Sequence, residues 1–426
     1  MYFIPFVYFA ALTIYLWYKS KNFDVAVYMS LLYTLTSACC VIMVLGDMLE
    51  GSGVLYSGFE PELGLLPTIL YCGLLTMTII PFYFIKAEIL EKIDNSHPKL
   101  LFLFSAILVA QFLLNTYLVA DSTISVLNGD LNDVREAHYN DEMSLADVKA
   151  ASMPYILRLF NYLNYTTILA LPLFFYYTCM EKRSIWLTSC LLLASLSGPL
   201  KAIQAVDRAE LILYAEMFLF CVILFKKHLT SGLKKLFVYA GVPFVALGIV
   251  YLTAVSMARF DKTDEGASGS VLQYAGQSYL NFCYFYDNAD PNLIYTQREI
   301  PVISHVFLNT SYGDVKEERS AREGFFIGVF ATHVGAWLLD VGVVGAVVLS
   351  LLFCLACLCV VKYRERTVYD IADVLMIFIF ATVPIFGIFY YRFHGFYIAL
   401  QYVFAGIIYV LSKFEFKWSK KKSSTQ

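Results

Sequence analysis

Six cationic side chains, Arg259, Lys262, Arg298, Lys316, Arg319 and Arg322, punctuate the polar stretch from Arg259 to Gly324, in a chain otherwise built of long apolar runs. A guanidinium fork matches phosphate oxygens better than an ammonium does, which makes the arginines candidate anion ligands. Arg319 and Arg322 share one face if Lys316–Glu323 is helical; the alternative is a solvated helix whose charges pair with one another. Over residues 258–324 acids outnumber cations, so a broad basic funnel is excluded and an anion site must be assembled from a few arginines. The run Gln273–Tyr286 carries Tyr274, Tyr279, Phe282, Tyr284, Phe285 and Tyr286. Their flat faces and polar tips suit packing against sugar rings, or an interfacial belt. Candidate proton acceptors are His305 and His333, with the carboxylates Glu210 and Asp340 as rivals; each histidine has packing as its alternative role.

Two further segments offer anion ligands. In Ser197–Glu210, Gly198-Pro199 is expected to stop one short helix, and the next begins with Asp207, Arg208 and Glu210 near its amide donors. Interrupted spans that carry charge at depth mark binding sites, although an Asp207 cap and a snorkelling Arg208 would account for the same residues. In residues 121–154, Arg135 precedes His138 and Tyr139 by about one helical turn. Asp287-x-x-Asp290 reads as a turn before Pro291, so no metal and no cofactor is expected. Cys354-x-x-Cys357 lies within an apolar run, where small polarisable packing is the reading; with most of the 10 cysteines so placed, no disulfide framework is expected.

The elements that must hold these residues are membrane-spanning. Of 426 residues 59% are hydrophobic and 15% charged, and the mean hydropathy is +0.65. Apolar runs of ~20 residues recur along the whole chain, as a bilayer core requires. The expected fold is all-α: a single polytopic domain over 1–426 with about eleven spans. These are Tyr2 to Tyr18, Val25 to Gly46, Leu65 to Ile85, Leu100 to Ala120, Tyr155 to Met180, Ile185 to Pro199, Ala209 to Phe225, Leu236 to Met257, Val341 to Val361, Ile371 to Tyr390 and Phe396 to Leu411. Most of the 31 lysines and arginines fall in alternate short loops, which places the C-terminus in the cytoplasm and the N-terminus outside. The outward side then carries a first large loop at 121–154, a polar linker at 197–210 and a main loop with short helices at 258–324. Residues 325–340 form a dipping or re-entrant helix that bends at Asp340-Val-Gly342. The net charge of −3 gives no reason to expect nucleic acid.

This architecture, the polar helix start at Asp207-Arg208 and the return Asp340-Val-Gly-Val-Val-Gly345 resemble the Wzy-type polymerases of O-antigen and capsular repeat units, where an aromatic commonly stands in place of Val341. The resemblance implies a GT-C-like glycosyltransferase of the bacterial inner membrane. Its substrates would be undecaprenyl-pyrophosphate-linked oligosaccharides, its surroundings membrane lipid, and its partners a chain-length regulator and a flippase. The growing glycan would pass to the incoming repeat unit with release of undecaprenyl pyrophosphate. Arg135, Arg208, Arg298, Arg319 and Arg322 match by location the arginines that hold pyrophosphate and glycan. An O-antigen ligase shares the architecture and the donor. A transporter would also place charges at broken helices, and an assembly partner would recruit the lipid without chemistry.

Overall fold

The computed structural model describes residues 1–48, 63–128, 149, 151–180, 184–204, 209–237, 239, 266–291, 297–309, 312–361 and 366–413. These are nearly all helical, and five helices are long and apolar enough to cross a membrane: Val25–Leu45, Leu65–Phe84, Pro98–Ala120, Ile185–Gln204 and Thr332–Val361. Other apolar segments are shorter or interrupted, and most of Leu236 to Met257 lies outside the described residues. In chain order the elements are α1 (Phe3–Ser20), α2 (Val25–Leu45), α3 (Leu65–Ile79, continued by a 3-10 turn Ile80–Phe84), β1 (Lys92–Asp94) and α4 (Pro98–Asn128). Next come α5 (Tyr155–Tyr162), α6 (Ala170–Cys179), α7 (Ile185–Ser195), α8 (Ser197–Gln204), α9 (Ala209–Phe225) and α10 (Gly266–Asn288). The chain closes with α11 (Tyr312–Glu323), α12 (Thr332–Val361), β2 (Val368–Asp370), α13 (Ile371–Phe386) and α14 (Phe396–Lys413).

Apolar helices gain little from one another by hydrophobicity in lipid, so small and hydroxyl residues decide where they meet. Thr13 donates to Ser30 (2.8 Å) across the α1–α2 hairpin, and the Tyr33 hydroxyl donates to the Pro384 carbonyl (2.6 Å), tying α2 to α13. The main correction to the sequence reading is α10. The aromatic run at 273–286 is not a loop but a helix packed on α2, α3 and α12, with Tyr279, Phe282, Cys283, Tyr284 and Phe285 all buried. Gly276 makes the crossing possible, because a Cβ there would lie 2.8 Å from the Cys40 backbone nitrogen.

Three further boundaries differ from expectation. Helix α4 runs on to Asn128, past Ala120, where a loop was expected. The segment Tyr155 to Met180 is divided: α5 has no buried residue, a 3-10 stretch Leu163–Leu169 follows, and only then does the buried α6 begin. Gly198-Pro199 does not stop a helix but falls in the first turn of α8, where proline costs no hydrogen bond; the interruption is at Leu196.

Within α12 the helix breaks at Gly342 (φ 72°, ψ −177°), a conformation open to glycine, and a Cβ there would meet Pro291 at 3.0 Å. The start of α12 is fixed by backbone bonds from Thr332 to Phe389 (2.9 Å) and from His333 to Gly387 (3.0 Å). That attachment brings the segment after α13 alongside the broken helix.

Candidate functional site

The break at Gly342 leaves Asp340 at the end of the first half of α12, where it is fully buried. Two arginines from different segments converge on it. Arg319 of α11 places Nη1 on Asp340 Oδ1, gives Nη2 to the Leu339 carbonyl (2.6 Å) and has Nε 3.4 Å from Glu323. Arg298, in the turn before Pro301, has Nε 3.1 Å from Asp340 Oδ2, an ionic contact without hydrogen-bond geometry. The neighbouring Glu299 is partly exposed as a residue, but both its carboxyl oxygens are buried and no donor reaches them among the described residues. Burial first, then the adjacent Asp340 carboxylate, raise its proton affinity well above the carboxylic range, against a smaller opposing effect from Arg298. A protonated Glu299 can donate to Asp340, which accounts for two carboxyls sharing a dry site.

A second pair lies at the same end of the bundle, where α9 begins. Glu210, in the first turn of α9, receives Arg392 in forked geometry, with Nη1 2.6 Å from Oε1 and Nη2 3.1 Å from Oε2. Arg392 is buried and belongs to the short 3-10 turn Arg392–His394 between α13 and α14. Two residues on, half-buried His394 has Nδ1 2.9 Å from the Tyr391 carbonyl. A carbonyl can only accept, so Nδ1 carries the proton and Nε2 is the basic nitrogen. Burial holds the His394 ring down to about 4, opposed by the bond to the Tyr391 carbonyl and reinforced by smaller effects from Arg298, Arg392 and Lys316. Close by, Lys201 of α8 lies over the Tyr165 ring at 4.6 Å.

No known protein family, curated protein or solved structure matches this chain. The site is therefore read from its own groups.

Of the residues expected from sequence, Asp340, Arg298 and Arg319 meet, and Glu210 joins Arg392. Arg319 and Arg322 lie on one helix as expected but do not act together. Arg319 turns inward, while half-exposed Arg322 pairs with exposed Asp290. His333 is fully buried, with Nε2 3.2 Å from Thr78 Oγ1 and Nδ1 3.3 Å from the Gly387 carbonyl. His305 is exposed, its ring tilted against Phe396 at 4.6 Å. Tyr279 is withdrawn from any sugar, its hydroxyl 2.6 Å from Thr68 in the core. Tyr274 is half-buried, its ring 5.1 Å from Phe330. Arg135, Tyr139 and Arg208 lie outside the described residues. Arg392, His394 and Glu299 were missed. The available signal was Tyr390-Tyr-Arg-Phe-His-Gly395, a polar connection too short to be read as a loop of interest.

A cavity of about 490 Å³ opens at the other end of α9, lined by Asp94, Tyr176, Cys179, Phe225 and His228 among others. It lacks the arginines that distinguish the first site.

Proposed function

We propose that this protein is a Wzy-type membrane glycosyltransferase, polymerising undecaprenyl-pyrophosphate-linked repeat units at the periplasmic face of the bacterial inner membrane. The chain spans the membrane about eleven times, with its N-terminus periplasmic and its C-terminus cytoplasmic. The observation that carries the reading is the pair of buried arginine–carboxylate clusters, Arg298 and Arg319 on Asp340 at the break in α12 and Arg392 on Glu210 at the start of α9. Displacement at an anomeric carbon needs donors already in place for the departing pyrophosphate, each worth a few kcal/mol. Arginines buried against carboxylates are held rigid before substrate arrives. Glu210 and Asp340 thus act as anchors for Arg392, Arg298 and Arg319 rather than as proton acceptors.

The test is reconstitution in lipid with a synthetic undecaprenyl-pyrophosphate repeat unit, without nucleotide sugar, read as a glycan ladder. The expected result is a ladder that Arg392→Gln abolishes while the folded protein is retained. Flipping of the lipid without elongation would replace the reading with a transporter, and transfer only to lipid A core would replace it with a ligase.

A further inference from the structure

We propose that Gln111, Asn115, Asn164, Ser197 and Gln401 form a subsite for a neutral, hydroxyl-rich group, the sugar joined to the diphosphate of the lipid-linked donor. This rests on the glycosyltransferase reading and adds to it where, and by which groups, the glycan is held.

None of these residues is more than 3% exposed, and they meet where α4, α8 and α14 pack on the 3-10 stretch Leu163–Leu169. Hydrogen bonds knit the junction together. Thr166 Oγ1 donates to Gln111 Oε1 (3.1 Å), Gln401 Nε2 to the Tyr165 carbonyl (2.8 Å) and Asn115 Nδ2 to the Ser197 carbonyl (3.4 Å). The other polar atoms of these side chains are Gln111 Nε2, Asn115 Oδ1, Ser197 Oγ, Gln401 Oε1 and both ends of the Asn164 amide. None has a hydrogen-bond partner among the described residues. Orphaned amides are costly in a bundle surrounded by lipid, and so many at one junction mark a place where something other than the protein completes the bonding. Water can serve them at rest, and the hydroxyls of a sugar take its place on binding.

The chemistry of the orphaned atoms selects the ligand. An anion only accepts and would leave the amide oxygens unanswered, whereas an ammonium only donates and would leave the amide nitrogens. A hydroxyl does both. Asn164 offers one donor and one acceptor whichever way its amide is turned. Half-buried Tyr165, with Lys201 over its ring, borders the same junction.

Position ties the subsite to the anion site. A Cβ on Gly198, next to Ser197, would lie 3.3 Å from Oε2 of Glu210, the carboxylate that holds Arg392. A diphosphate met by Arg392 thus has its sugar beside Ser197. The junction is closed in this structure, and α8 is the element placed to open it. The break at Leu196 separates it from α7, and the bond from Asn115 is long.

The test uses the full-length protein in nanodiscs and two variants, Asn164→Leu and Ser197→Ala, that remove only orphaned atoms and leave no protein partner unpaired. Calorimetry measures binding of a synthetic repeat-unit pyrophosphate carrying a short prenyl chain, and of inorganic pyrophosphate. Asn164→Leu should weaken repeat-unit binding ~10-fold and Ser197→Ala ~3-fold. Pyrophosphate affinity should be unchanged in both, and neither should melt below the native protein. Repeat-unit affinity unchanged in both variants would mean that the junction holds water alone; that result overturns the inference and spares the anion site. An equal loss of pyrophosphate affinity also overturns it, because the change then reaches the anion site rather than a sugar. Native protein that binds neither ligand removes both readings.

Discussion

Replacing Asp340 by asparagine keeps an oxygen for Arg319 and deletes the carboxylate's charge. Removing one partner of a buried ion pair costs about 3–5 kcal/mol, because the remaining charge has no water to turn to. Here Arg298 and Arg319 would both lose their contact with that charge, although Arg319 would keep Glu323 at 3.4 Å. Glu299 supplies a second response. With the Asp340 carboxylate gone, the second of the two effects holding its proton disappears while burial, the larger, remains, so the raised proton affinity of Glu299 should fall and partly offset the lost charge. The expected cost of Asp340→Asn is therefore about 2–3 kcal/mol, below the full range for a broken pair. Glu299→Gln alone, a neutral side chain in place of a neutral carboxyl, should cost under about 1 kcal/mol at pH 7. Together they should exceed their sum by about 1–2 kcal/mol, the size of coupling seen between residues in contact. Denaturant unfolding of the four proteins in detergent measures the cycle. Additivity within about 0.5 kcal/mol would refute the reasoning. The pH dependence supplies a sign check. A carboxyl whose folded pKa is raised stabilises fully below its unfolded value of about 4.3 and loses that contribution as pH rises through the folded one. Glu299→Gln should thus lose less stability than the native protein between pH 5 and pH 8.

Three other outcomes follow from the same structure. His394→Asn should flatten the acid side of the thermal stability profile. A ring held near 4 when folded contributes stability fully present above its ordinary 6.5 and lost as pH falls between those values, so melting curves across that window should converge for variant and native protein. Arg322→Ala should cost less than about 1 kcal/mol, since its pair with Asp290 is exposed, whereas Arg319→Ala should cost about 3–5 kcal/mol; equal losses in unfolding would show that α11 is not oriented as described. Gly276→Ala should destabilise by about 1–3 kcal/mol through the collision with the Cys40 backbone, and unchanged melting would mean α2 and α10 are farther apart.

Much of the helix order was legible because apolar runs of bilayer length leave few alternatives. The bend near Gly342 was legible too, from aspartate and glycine set in an apolar run. What misled was the assumption that polar means outside. Gln273, Gln277, Ser278 and Asn281 are buried in α10, where they bond to the Met48 carbonyl, to one another and to the Ile388 and Phe330 carbonyls. Surrounded by helices rather than water, polar side chains serve as interhelical ties, so hydropathy along the sequence places such a helix in a loop. Tyr279, Phe282 and Tyr286 recur at helical spacing and held the contrary signal. Arg392 was hidden for a different reason. Its partner Glu210 lies far away in sequence, and only tertiary structure joins them.

The pairing of β1 with β2 bears on how such a bundle moves. Lys92–Asp94 and Val368–Asp370 run parallel in register, Ser96 bonds to Asp370, and Arg366 reaches Asp373 at 2.6 Å. This latch joins the connection after α3 to the one after α12, at the end remote from Asp340. Helices joined at the foot separate at the head by tilting, not by sliding apart. Over the 20 residues of Leu65–Phe84, about 30 Å at ~1.5 Å per residue, a tilt of roughly 5° moves the free end by about 2.6 Å. Leverage of that kind turns a small rotation at the latch into a gap of a few ångströms between the helix tips.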